Sequence, residues 1–146
     1  MERPDVLGWQ VWALLAAGFA ALTAIFAKVG VSNVNSDFAT LFRTAVILPM
    51  LGILVVATGQ IQPLSSVSGR TYLFLTLSAL ATGASWLCYF RALQIGDASR
   101  VAPVDKLSVV LVAVFGAAFL GERLSVRGWL GIAFVTLGVI LIAWKR

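Results

Sequence analysis

The sequence of 146 residues is 60% hydrophobic and only 12% charged, with a formal net charge of +5. A soluble domain carries charge on about a quarter of its residues, so this composition excludes an ordinary soluble fold. There is no His and a single Cys, Cys88, which excludes an intramolecular disulfide and any metal site built from Cys and His. The Lys and Arg residues are scattered at the ends of apolar segments, where they suit lipid headgroups rather than nucleic acid.

Five apolar segments can cross a bilayer, which requires roughly 20 residues of helix. We therefore predict an all-α integral membrane protein with a single domain over residues 1–146. Its five transmembrane helices are expected at about 8–29, 37–58, 71–93, 101–121 and 126–144. The fourth span reaches this length only if it includes the charged residues Asp105 and Lys106.

The first two spans are joined by a short polar turn. Lys28 closes the first span, and we expect it to anchor the helix at the interface by extending toward the headgroups. Ser36 or Asp37 is the predicted N-cap of the second span.

Arg43 lies early in the second span, about 9 Å along the helix from Asp37 at 1.5 Å per residue. A charge at that depth is costly and needs an explanation. Arg43 could bind an anionic group, pair with Asp105 in the interior, or extend back to the interface; the sequence leaves these alternatives open.

The third span is unusually polar and is expected to line an interior rather than to face lipid. It contains many side chains with hydrogen-bonding groups, among them Thr76, Ser78, Thr82, Ser85, Trp86 and Tyr89. Two of them, Trp86 and Tyr89, could stack on a ligand or could serve only in packing.

Asp105 and Lys106 follow Pro103 in the fourth span. Adjacent helical residues point about 100° apart, so we expect these two side chains not to pair with each other. Each would then require another partner, water or a ligand, unless both extend to the headgroups. Glu122 and Arg123 are expected in the turn before the fifth span, where a structural role is favoured over that of a protonatable coupling carboxylate.

The predicted substrate-binding residues are therefore Arg43, Trp86, Tyr89, Asp105 and Lys106. No catalytic or metal-binding residue is predicted, because the chain has no His for a triad and no Walker-type glycine loop. We expect no cofactor and no nucleic-acid partner. The expected partners are the lipid bilayer and a small-molecule substrate.

Several short motifs recur in a characteristic order: YFRAL at 89–93, GDAS at 96–99, VAP at 101–103, LGERLS at 120–125 and LGVILIAW at 137–144. With these motifs the chain resembles the EamA-type domain of the drug/metabolite transporter superfamily. The DKLS at 105–108 is similar to the short five-helix bacterial and archaeal branch. Weaker similarity extends through FRTAVILPML at 42–51 to the first span.

This resemblance implies a secondary transporter of small metabolites or drugs in the inner membrane, often an exporter, that works by alternating access. Larger relatives carry two such repeats in inverted orientation, so one repeat implies a homodimer. The nearly even division of positive charge between the two sides allows an antiparallel arrangement. The small multidrug-resistance relatives use a carboxylate in the first helix, but residues 6–27 contain no Asp or Glu. The alternative is a non-transporting accessory or scaffold protein built on one repeat.

Overall fold

The computed structural model describes residues 8–144, and its regular secondary structure in this range is helical, with no strand among these residues. Its helices are α1 (Trp9–Gly30), α2 (Ser36–Ala57), α3 (Gly69–Ile95), α4 (Ala98–Asp105), α5 (Ser108–Phe119) and α6 (Val126–Ala143), with a short 3₁₀ turn at Leu64–Ser66. The outermost residues of the predicted domain, 1–7 and 145–146, lie outside the described part.

Five helical segments are long and apolar enough to span a membrane, as predicted, when α4 and α5 are taken together as the segment Ala98–Phe119. Only 6% of each span is buried within the chain itself. Large side chains such as Leu48 and Phe134 are more than 70% exposed. Surfaces this apolar need lipid or another protein surface to cover them.

The fourth span is not one continuous helix, because α4 ends at Asp105 and α5 begins at Ser108. Pro103 has no amide hydrogen to donate, which weakens the helix at this point. The amides of Leu107, Val109 and Val110 each donate over 3.0 Å to the carbonyl three residues back, instead of four. The chain therefore makes a turn at Lys106 and Leu107, held by hydrogen bonds to the carbonyl three residues back, between the two α-helices.

The chain forms two compact units. The α2–α3 unit comprises residues 27–95, and the α4–α6 unit comprises residues 8–26 and 96–144. In the α4–α6 unit, α4 and α5 pack on α6, with Ala113, Gly116 and Val139 buried.

The α2–α3 unit packs its two long helices against each other. Its buried residues are Val31, Ser36, Thr40, Phe90 and Leu93. The N-cap of α2 is Asn35, whose side-chain oxygen accepts the amides of Asp37 and Phe38 at 2.8 and 3.2 Å. The predicted caps, Ser36 and Asp37, are instead the first helical residues, because the non-helical backbone conformation occurs one residue earlier, at Asn35.

Two long-range hydrogen bonds fasten the end of α3 to the chain before α2. The ammonium of Lys28 donates to the carbonyl of Leu93 over 2.7 Å, and the side-chain amide of Gln94 donates to the carbonyl of Val34 over 3.1 Å. The last carbonyls of a helix have no intrahelical partner, and a cation there also interacts favourably with the helix dipole. Lys28 is therefore a cap for α3, and the expectation that it only anchors α1 at the interface is wrong.

Leu93 should be the most sensitive packing position of α3, since it is fully buried (0% exposed). Lipid tails are as apolar as Leu, so its contribution comes from close packing rather than from leaving water. We expect Leu93→Ala to lower the free energy of unfolding by about 2 kcal/mol, at the lower end of the range for buried Leu. The same truncation at Leu80, which is 66% exposed, should change it by no more than about 0.5 kcal/mol. Equilibrium unfolding in mixed micelles of increasing dodecyl sulfate content measures both; equal effects would contradict this packing.

Replacing Lys28 by Met should destabilise the protein through the lost cap. A hydrogen bond to a charged group contributes about 1.5–3 kcal/mol, so we expect a loss in that range. Lys106→Met is the matched control, because the Lys106 ion pair is largely exposed and such pairs contribute about 0–1 kcal/mol. The same unfolding titration compares the two variants, and a loss for Lys28→Met no larger than for the control would refute the capping role.

Candidate functional site

Arg43 is a residue of α2, and its side chain lies against two aromatic rings of α3. Its guanidinium carbon lies 4.4 Å from the centre of the Trp86 ring and 5.5 Å from that of Phe90. Trp86 and Phe90 are four residues apart on one helix, so they present neighbouring rings on the same face. Both distances are within the roughly 6 Å over which a cation is attracted to an aromatic face.

Arg43 has no acidic partner in the α2–α3 unit. Asp37 is the only acidic residue in 27–95. It lies six residues earlier on the same helix, and residues six apart point about 120° apart and lie about 9 Å apart along the helix axis. Asp37 instead contacts the hydroxyl of Ser36 over 3.4 Å. The positive charge of Arg43 is thus stabilised by aromatic faces but is not neutralised within this unit.

Tyr89 lies beside this cluster on α3, since it follows Trp86 by three residues and therefore lies on the same side of the helix. The structure brings Arg43 and Trp86 into contact and places Tyr89 on the next turn of α3. Phe90 belongs to the same cluster and was missed by the sequence analysis. Its position four residues after Trp86 was the signal that could have identified it.

Asp105 and Lys106 lie in the α4–α6 unit and form an ion pair with each other, Nζ to Oδ2, over 3.1 Å. The expectation that they would not pair is wrong. It assumed an unbroken helix, whereas α4 ends at Asp105 and Lys106 is its C-cap. The long Lys side chain can fold back there onto the preceding carboxylate. The two side chains are 35% and 56% exposed, respectively, so both remain accessible.

The turn between α5 and α6 contains Glu122 and Arg123, as expected. Gly121 takes a positive φ of 69°, which favours a residue without a Cβ atom. The chain then folds back, so that the amide of Glu122 donates to the carbonyl of Gly116 over 3.0 Å. A Cβ atom on Gly116 would lie 2.6 Å from the Glu122 carboxylate. Glu122 therefore packs closely onto the end of α5.

No group of three metal-ligating side chains occurs within residues 8–144. A guanidinium offers planar, bidentate hydrogen bonding to a carboxylate or phosphate. The indole of Trp86 offers an apolar face beside it.

The chain matches the EamA-like transporter family over residues 7–144. It is 65% identical over 135 residues to a Sinorhizobium sp. protein named "uncharacterized transporter in cobO 3′ region", covering 92% of this chain and 96% of that relative. It is 29% identical over 108 residues to the probable 4-amino-4-deoxy-L-arabinose-phosphoundecaprenol flippase subunit ArnE of Yersinia pseudotuberculosis, covering 67% of this chain and 94% of that protein. The ArnE of Yersinia pestis is 30% identical over 83 residues, 57% of this chain and 73% of its own length.

No solved structure matches the chain. The family match extends over nearly the whole sequence, and the helices supply the five spans of a multi-pass membrane protein. The chain therefore belongs to the EamA-like transporter family and is a membrane transporter, not an enzyme.

Proposed function

We propose that this protein is a secondary transporter, and specifically an exporter, of small metabolites or drugs. It acts by alternating access as a homodimer in the inner membrane. One domain over residues 1–146 forms each half. The observation that carries this proposal is Arg43, a cation within an apolar span that is held over Trp86 at 4.4 Å and has no acidic partner in its unit.

The energetics of Arg43 support a cavity that admits water or solute. An Arg at the centre of a membrane helix costs about 2.5–3.5 kcal/mol on insertion scales. The cation–π contacts return about 0.5–2 kcal/mol. The remaining cost of placing this charge in the membrane is best offset by polar surroundings. In a transporter, these are the substrate and the water of its pathway. Arg43, Trp86 and Tyr89 form one wall of this pathway in the proposal.

A second binding element that we propose, within the α4–α6 unit, is the Asp105–Lys106 ion pair. It lies where the fourth span is interrupted, between α4 and α5. Interrupted transmembrane helices recur at the substrate and ion sites of secondary transporters, because their free backbone groups can bind solutes there. An exposed pair of opposite charges can also open to bind a polar solute, since an exposed ion pair contributes only about 0–1 kcal/mol.

Dimerisation is proposed because one five-helix repeat leaves its apolar faces uncovered, with 6% of each span buried. A second copy in inverted orientation would reproduce the inverted-repeat arrangement that places a substrate site between two halves. The even division of positive charge between the two sides permits both parallel and antiparallel insertion.

A second candidate function is suggested by the name of the Yersinia relatives. Those proteins are named subunits of a flippase for a lipid-linked sugar. A single repeat could likewise be one subunit of a heteromeric flippase. This alternative predicts a stoichiometric partner in mild detergent and no flux by the isolated protein.

Arg43→Gln should reduce transport at least tenfold, because the neutral amide leaves no cation in this wall. The measurement is efflux from proteoliposomes loaded with a bacterial metabolite extract, identified by mass spectrometry. The matched control is Arg70→Gln. Arg70 also lies over an aromatic ring, Phe74, at 5.8 Å, but at the start of α3. Unchanged efflux in the Arg43 variant would remove this residue from the mechanism.

Asp105→Asn and Lys106→Ala should each lower efflux several-fold, since each leaves the opposite charge without its partner in the interrupted span. The same loaded proteoliposomes give the measurement. If both variants export like the unchanged protein, the ion pair has no part in transport.

The proposed homodimer makes a prediction about orientation. Reporters that are active on only one side of the membrane, fused separately to each end of the chain, should both give mixed signals if the dimer is antiparallel. Cross-linking in intact membranes should yield a species of twice the monomer mass. A single clean orientation would refute the antiparallel form. A protein that remains monomeric in the membrane would refute the dimer itself.

A further inference from the structure

A row of hydroxyl groups runs along one face of α3. Its members are Ser78, Thr82, Ser85 and Tyr89. Successive spacings of four, three and four residues place side chains on the same face of a helix. At 1.5 Å per residue, the row extends for about 16 Å, roughly half the thickness of the hydrocarbon core.

The side-chain hydroxyls of two members of this row have no hydrogen-bond partner among residues 8–144. Most threonines within the spans donate their hydroxyl to the carbonyl four residues back, as Thr82 does to Ser78 over 2.9 Å and Thr44 to Thr40 over 2.9 Å. The hydroxyls of Ser78 and Ser85 make no such bond in the described part of the chain, and both residues are exposed. Hydrocarbon offers no substitute partner. The row therefore suits a polar surrounding rather than lipid.

The row ends at the Arg43 cluster. Its last two members, Ser85 and Tyr89, are followed directly by Trp86 and Phe90, the two residues whose rings lie against the guanidinium. A guanidinium carries five N–H donors and no acceptor. None of those donors has an acceptor among the residues of the α2–α3 unit. One continuous stretch of α3 thus carries the hydroxyl row and the two aromatic rings against which the Arg43 guanidinium of α2 lies.

The charge of this surface discriminates between solutes. A cationic solute would face Arg43 with no carboxylate to compensate, since the only acidic residue of the unit, Asp37, is exposed at the start of α2. An oxyanion would receive the bidentate N–H pair that guanidinium presents to carboxylates and phosphates. The hydroxyl row would then accept and donate hydrogen bonds along a hydroxylated body.

We propose that the Arg43 cluster and the hydroxyl row of α3 together bind an oxyanion, a carboxylate or phosphate ester, carried on a hydroxylated body. This inference rests on the proposed transport function and narrows its substrate class. Arg43 binds the oxyanion, Trp86 packs against the apolar face of the adjoining group, and Ser78 and Ser85 hydrogen-bond its hydroxyls. The oxyanion belongs either to a soluble solute or to a lipid headgroup, which share this chemistry.

The test measures binding of radiolabelled glucose 6-phosphate to the full chain in phosphatidylcholine nanodiscs. The unlabelled competitors are gluconate, glucose and glucosamine. They are similar in size and carry a negative charge, no charge and a positive charge, respectively. We expect gluconate to compete at least tenfold better than glucosamine. Arg43→Gln should abolish glucose 6-phosphate binding. Arg43→Lys should retain part of it, because ammonium keeps the charge but loses the bidentate geometry.

Ser85→Ala tests the row separately from the charge. This substitution should weaken the binding of glucose 6-phosphate several-fold. It should leave competition by inorganic phosphate unchanged, since inorganic phosphate has no hydroxylated body. Thr76→Val and Arg70→Gln are matched controls. Thr76 is a polar residue of the same helix on the opposite face, two positions before Ser78. Both controls should bind like the unchanged protein.

Nanodiscs containing phosphatidylglycerol distinguish the two sources of the oxyanion. Competition by this lipid alone assigns the site to a headgroup, and competition by gluconate assigns it to a soluble solute; either result supports the proposal if it depends on Arg43. Displacement of glucose 6-phosphate by glucosamine at concentrations as low as those at which gluconate displaces it, or binding that survives Arg43→Gln, would overturn it. So would the absence of any Arg43-dependent binding.

Failure of transport and failure of this inference give different results. Arg43-dependent binding without any efflux from loaded proteoliposomes would overturn the transport function and leave the oxyanion site standing. Efflux restricted to cationic or neutral solutes, and indifferent to Arg43→Gln, would overturn the oxyanion site and leave transport standing.

Discussion

Polar groups within these spans have to be stabilised by the protein itself, because hydrocarbon provides no hydrogen bonds. The structure meets this constraint locally wherever it can. Threonine hydroxyls bond the carbonyls of the preceding turn, as Thr40 does to Ser36 over 2.9 Å. Helix ends are capped by side chains, as Asn35 caps α2 and Ser125 caps α6. Groups that are not satisfied in this way therefore stand out as sites of function.

The cations of the α2–α3 unit illustrate the difference. Lys28 donates to the free carbonyl of Leu93 at 2.7 Å and so contributes to the fold. Arg43 rests on the faces of Trp86 and Phe90 and keeps its N–H edges without an acceptor in the unit. The first arrangement is complete in a single chain, whereas the second leaves hydrogen-bonding capacity that a ligand can use. The presence or absence of an acceptor within the unit therefore distinguishes a structural charge from a functional one more clearly than depth in the membrane does.

The sequence was sufficient for features that depend on composition and on local pattern. Run length gave five spans, and the glycine and charges of LGERLS placed the turn at Glu122. Features that depend on tertiary packing were beyond it. Nothing in the sequence near Lys28 indicates an acceptor 65 residues away, and the pairing of Asp105 with Lys106 became possible only because the helix ends between them. Of the site, the cluster of Arg43 with Trp86 and Tyr89 was anticipated as a set of residues, but its cation–π geometry was not.

The bond from Lys28 to Leu93 also has a consequence for how the protein enters the membrane. A ribosome adds about 5–20 residues per second, so the 65 residues between donor and acceptor correspond to about 3–13 s of synthesis at that rate. Throughout this interval the Lys28 ammonium cannot yet donate to the Leu93 carbonyl, because that residue of α3 has not been synthesised. Once α3 is present, the bond from Lys28 to Leu93 joins the two ends of the segment that contains α2. The α2–α3 unit can therefore form this long-range hydrogen bond only after α3 has been synthesised.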